Sequence, residues 1–151
     1  MSDTCMNHIE RHWQTLTVSN NLLFNKGHFE TALSGYKDAL YRAEVLNNNI
    51  ADCVRLQTPF VQVYIISCNN LANTYEELGC LEDAEKMLKR VVYYLLLLIN
   101  KKVVNSDEIQ SELKRASIAY SCFVEKHDVI KTKQNRVFND LKEQLMVHNL
   151  I

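Results

Sequence analysis

The chain has 151 residues, 47% of them hydrophobic, and carries 17 basic against 18 acidic residues for a formal net charge of −1. A chain of this length folds as one domain that removes roughly 68–70% of its unfolded surface from water, and a charge balance so close to zero offers no broad field to nucleic acid or an anionic bilayer. Three glycines and one proline are too few breakers for a strand-rich fold, so the expectation is all-α.

The N-terminal segment, Met1 to Arg11, is polar and lacks the apolar core of a secretory signal. Five cysteines (Cys5, Cys53, Cys68, Cys80 and Cys122) contain no CxxC pair, and an odd number without a signal points to reduced thiols in the cytoplasm. Cys5, His8 and His12 recur at helical spacing, which could put sulfur and imidazole ligands for zinc on one face. A closed site still lacks its fourth ligand. The run His8-Ile9-Glu10-Arg11-His12 also departs from HExxH, because its acid is displaced by one residue onto another face. The plainer reading is an exposed, fraying terminus, and neither a metal nor a cofactor is expected.

Farther along, one phrase is written twice: Gly27-His28-Phe29-Glu30-Thr31-Ala32 and Gly79-Cys80-Leu81-Glu82-Asp83-Ala84. At the same offset of 52 residues Asn21 matches Asn73, Leu23 matches Tyr75, Lys37 matches Lys89, Leu40 matches Val92 and Tyr41 matches Tyr93. Self-similarity at a fixed offset is the mark of a repeat architecture. Each copy predicts a helix, a glycine turn and a second helix folded back on the first, a unit that buries its apolar face only against neighbours.

These residues resemble the tetratricopeptide repeat. Leu23, Gly27, Phe29, Ala32, Tyr36 and Ala39-Leu40 fit its pattern in the first copy, and Leu71-Ala72, Tyr75, Gly79, Leu81, Ala84 and Leu88 in the second. The segment from Asn69 to Gly79 is similar to the longer-helix variety found in kinesin light chains. The two copies cover about half of the chain. Departures are the missing proline after each second helix and an offset that exceeds the 34 residues of a standard repeat. The resemblance implies a right-handed α-solenoid of antiparallel helix pairs, with about six helices including a C-terminal cap. Its first repeat would span about 8–55 and its second about 59–103, with a degenerate third repeat or cap over 106–148.

The extra length is placed in longer helices, roughly nine residues (about 13 Å) on each side of a turn near Pro59. Thr58-Pro59 reads as a helix start, since proline fixes φ and lacks a donor. Asn47-Asn48-Asn49 is either a fraying end or a polar face. The stretch from Val91 to Ile99 is apolar all round, but nine residues bracketed by Lys89-Arg90 and Lys101-Lys102 are too short for a span of about 20. It is expected to be a buried helix, covered by the C-terminal helices or by a second subunit as a homodimer.

Ser106-Asp107-Glu108 predicts an N-cap with acids in the first turn, and Ile109, Leu113, Ala116, Tyr120 and Phe123 recur at helical spacing after it. His127-Asp128 could turn the chain into a last helix with Ile130, Val137, Phe138, Leu141 and Leu145 on one face; one continuous helix is the alternative.

Nothing in the chain marks an enzyme. There is no glycine-rich phosphate loop and no nucleophile elbow. The acids Glu76-Glu77 and Glu82-Asp83-Glu85 read as solvated charge at helix ends, and Cys80 as an exposed thiol with no neighbour to lower its pKa. The resemblance places function on the first helix of each repeat, where Asn21, Asn25, Asn69, Asn70, Asn73, Glu77 and Arg115 are the candidate groove residues. Side-chain amides can bracket an extended peptide backbone. Asn21, Asn70 and Arg115 resemble part of the carboxylate clamp that binds chaperone C-termini, while Thr17 and Ser111 stand where lysines are expected. The expected function is a non-catalytic interaction module for an unidentified protein or peptide. The alternatives are a structural homodimer joined through Val91 to Ile99, and a small metal protein or enzyme using His8 and His12.

Overall fold

The computed structural model of the chain describes residues 1–102, 104–127 and 139–147. Those residues form six helices, α1 (Asp3–Asn25), α2 (Phe29–Asn47), α3 (Ile50–Leu56), α4 (Phe60–Glu77), α5 (Leu81–Lys101) and α6 (Ser106–Lys126), with a further helical segment over 139–147. No strand occurs among them, and none of the helices is long and apolar enough to cross a membrane. The chain divides into two compact units, Met1–Cys80 and Leu81–Ile151.

In the first unit α2 packs between α1 and α4, and the short α3 touches α1 and α2. The central position of α2 follows from its buried residues, since Ala32, Tyr36, Ala39, Leu40, Ala43 and Leu46 include three alanines that let neighbouring helices approach closely. Helix α1 contributes Met6, Trp13, Thr17 and Asn20 at helical spacing, and the Trp13 indole donates to Ser67 Oγ of α4 at 2.8 Å. Ser67 in turn donates to Val63 O at 2.8 Å, so both polar groups are satisfied inside the core.

The duplicated phrase has a structural counterpart. Gly27 and Gly79 adopt the left-handed conformation at φ +83° and +76°. At the first, Gly27 N–H donates to Phe24 O and His28 N–H to Leu23 O, each at 2.9 Å; at the second, Gly79 N–H donates to Glu76 O at 3.0 Å and Cys80 N–H to Tyr75 O at 2.9 Å. These are two Schellman caps with the same hydrogen-bond pattern, and glycine meets their left-handed position without steric cost. Ala32 and Ala84 are both fully buried, five residues beyond their glycines.

Three local expectations are corrected. First, the extra length of copy one does not extend its second helix unbroken to the turn near Pro59, because α2 stops at Asn47 and α3 follows. The asparagines cause the stop: Asn47 and Asn49 donate from their side chains to Ala43 O at 3.0 Å and Val45 O at 2.8 Å, competing with the backbone ladder. Second, the N-terminus is not a fraying end. Ser2 accepts from Cys5 N–H at 3.2 Å, Met6 is fully buried, and Arg55 of α3 holds Asp3 through two hydrogen bonds of 2.6 and 3.1 Å. Third, α6 is capped by Asn105, whose side chain accepts from Asp107 N–H at 2.9 Å, and Ser106 is already helical.

The second unit rests on α5 against α6. Of the apolar stretch, Val91, Val92, Leu95, Leu96 and Leu98 are buried within a single chain, while Tyr93 and Leu97 stay about half exposed one turn apart. From α6, Ile109, Leu113, Tyr120 and Phe123 are buried as expected, and α6 ends at Lys126 with His127 extended. Leu141 and Leu145 are also buried; Asp128, Ile130, Val137 and Phe138 lie outside the described residues. Glu85, expected in water, is instead buried: its Oε1 pairs with Lys89 Nζ at 2.9 Å and accepts from the Tyr120 hydroxyl at 3.0 Å. A buried carboxylate needs such partners to offset its desolvation.

Candidate functional site

Four of the candidate asparagines meet in the first unit. The last turns of α1 carry Asn21, Phe24 and Asn25, and α4 carries Asn70 and Asn73 one turn apart; with Tyr36 of α2 they line a cleft of about 290 Å³. The Gly27 cap ends α1 just beyond this turn, so Asn25 sits at the helix end. Phe24 is steadied by an edge-on contact with Phe29, the ring centroids 5.1 Å apart. The Tyr36 ring is buried, and its hydroxyl donates to Asn21 Oδ1. Burial also raises the Tyr36 pKa, which keeps the phenol neutral.

That hydrogen bond fixes the Asn21 amide and leaves its N–H donors uncommitted. Among the described residues the side-chain amides of Asn25, Asn70 and Asn73 make no hydrogen bond, so each keeps two donors and an acceptor. Among the described residues no charged side chain lines the cleft. Its chemistry is neutral and bidirectional, matched to groups that present both N–H and C=O, with two aromatic rings as the apolar part.

The remaining candidates lie elsewhere. Asn69 is half-buried on α4 outside the cleft lining, and Glu77 is exposed in the last turn of α4. Arg115 belongs to the second unit, where it is exposed on α6 and paired with Glu112. Thr17, one of the positions compared with a clamp lysine, is buried on the α1 core face and not open to a ligand. Phe24 was not among the candidates. Its signal in the sequence is the spacing from Asn21, which puts it on the same face of α1.

His8 and His12 are exposed on α1 with ring centroids 6.1 Å apart, and His12 Nδ1 accepts from Arg42 Nε at 3.3 Å. That bond commits one of the ring nitrogens a metal would need. Among the described residues no group of three or more His, Cys, Asp or Glu is placed to hold a metal ion. All five cysteines are free thiols. Cys53 is fully buried and donates to Leu46 O at 3.3 Å, and burial, then the charges of Asp52 and Glu10, push its pKa up to about 11.

A family model described as "Protein of unknown function (DUF2753)" matches residues 11–148, and the chain belongs to that family. No curated protein and no solved structure matches the chain.

Proposed function

We propose that the protein is a non-catalytic interaction module of tetratricopeptide-repeat type, built as a right-handed α-solenoid and acting in the reducing cytoplasm. The observation that carries this reading is the cleft of Asn21, Asn25, Asn70 and Asn73 around Tyr36 and Phe24. Three uncommitted amides on two helices can pair with the N–H and C=O groups of an extended peptide, and the rings take an apolar side chain. The paired Schellman caps support the repeat assignment. Because the cleft is neutral, it favours an internal peptide segment over a terminal carboxylate, which needs cationic donors.

A selection of displayed unstructured peptides against the full chain tests the reading. Enriched sequences should bind at micromolar affinity and shift the amide resonances of Asn21, Asn25, Asn70 and Asn73. Asn70→Ala with Asn73→Ala should weaken them about tenfold or more while the melting temperature is nearly unchanged, since neither amide is spent on folding. Peptides that bind the double variant equally well would sink the proposal.

A further inference from the structure

We propose that a second cleft, formed by α5, α6 and the helical segment 139–147, binds an apolar monocarboxylate with a body of about six to eight carbons. Its walls are the side chains of Val92, Ile118, Tyr120, Leu141 and Leu145, and its volume is about 200 Å³. An apolar cavity of roughly 150 Å³ is known to accept a benzene ring, so this one suits a slightly longer body and is too small for a folded peptide.

The polar groups identify the ligand's other end. Ser117 lines the cleft, and its Oγ is buried with no hydrogen-bond partner among the described residues. A buried hydroxyl left unpaired is costly and calls for a partner at that point. Tyr120 cannot supply it, since its hydroxyl is committed to Glu85. One turn along α6 Ser121 also faces the cleft, and Lys142 stands on the opposite helix, exposed and without an ion-pair partner among the described residues. A cation and two hydroxyl donors beside apolar walls complement an anion with a hydrocarbon body. A carboxylate accepts from all three, and the hydrogen bond from Lys142 is charge-assisted. A neutral hydrocarbon would leave Ser117 unpaired, and a cationic ligand would face Lys142.

This cleft lies wholly in the second unit, so its test is independent of the peptide groove. The full chain is titrated with sodium octanoate and, separately, with 1-octanol, by calorimetry and by amide resonance mapping. Octanoate should bind saturably and shift Val92, Ser117, Ser121, Leu141 and Leu145, with octanol at least about tenfold weaker. Lys142→Glu, at an exposed position, should weaken octanoate about tenfold or more and leave octanol unchanged. Ser117→Ala should weaken octanoate several-fold. The proposal is overturned by octanoate failing to saturate below about 1 mM, by shifts that map away from these residues, or by Lys142→Glu binding octanoate as tightly as the parent.

Discussion

The amide of Asn20 occupies the space that a side chain at position 35 would need. A Cβ built on Gly35 would fall 2.0 Å from Asn20 Oδ1 and 2.1 Å from Nδ2. Asn20 is itself buried and donates to Leu16 O at 2.6 Å, so it has no room to give way without losing that bond. Gly35 is therefore the reason α1 and α2 approach closely at this level, although glycine inside a helix costs about 1 kcal/mol relative to alanine.

Gly35→Ala is expected to destabilise the protein by about 1–3 kcal/mol despite its better helix propensity, because the overlap forces Asn20 out of a packed core. Asn20→Ala in the same background should recover most of the loss. Chemical denaturation of the two single variants and the double variant measures the coupling; additive effects would show that the two residues do not compete for space.

Gln57 ends α3 in the left-handed region at φ +59°, with Thr58 N–H donating to Cys53 O at 2.9 Å. The turn has the same capping pattern as Gly27 and Gly79, but a side chain there carries steric strain. Gln57→Gly should stabilise the chain by about 0.5–1 kcal/mol, less whatever the unfolded chain gains in freedom. A lower denaturation midpoint for this variant would contradict the assignment.

Stability should decline above about pH 9. The Cys53 thiol is protonated to about pH 11 in the folded chain against an ordinary value of 9.0, so between those values the unfolded chain binds fewer protons and is favoured as pH rises. The slope approaches about 1.4 kcal/mol per pH unit. Tyr120, raised by burial and then by the Glu85 charge, and Tyr36, raised by burial, extend the decline beyond pH 10 in the same direction. Cys53→Ala should flatten the curve between about pH 9 and 10. An identical profile for that variant would remove Cys53 as the cause.

Leu96 and Leu97 adjoin in sequence and should differ sharply in response to charge. Leu96 is 8% exposed and Leu97 is 51% exposed. Leu96→Lys places an unpaired cation in the core and should cost on the order of 3–5 kcal/mol, enough to unfold much of the protein. Leu97→Lys should leave the melting temperature within a degree or two, because exposed substitutions seldom exceed about 0.5 kcal/mol. Sedimentation of this second variant also tests self-association: only a dimer that uses Tyr93 and Leu97 would shift toward monomer.

Local patterns in the chain carried the helical class, both glycine turns, the helix start after Thr58-Pro59 and the burial of Val91, Val92, Leu95, Leu96 and Leu98, though not of Tyr93 and Leu97 in the same stretch. Each of these depends on interactions within one or two helical turns: a left-handed glycine, a proline without a donor, or an apolar run too short to span a bilayer. The asparagines on α1 and α4 were legible for the same reason, since helical spacing alone puts Asn21 with Asn25 and Asn70 with Asn73. Other features depended on residues far apart in the chain. Trp13 finds Ser67 across 54 residues, Glu85 finds Tyr120 across 35, and Asn20 fits above Gly35 only because α2 folds back on α1. Glu85 reads as a surface acid until its partners remove it from water, and Thr17 reads as a groove residue until packing turns it inward. Periodicity reports which residues share a helix face; which face meets another helix is decided by packing, where burial and hydrogen-bond satisfaction are settled between elements distant in sequence.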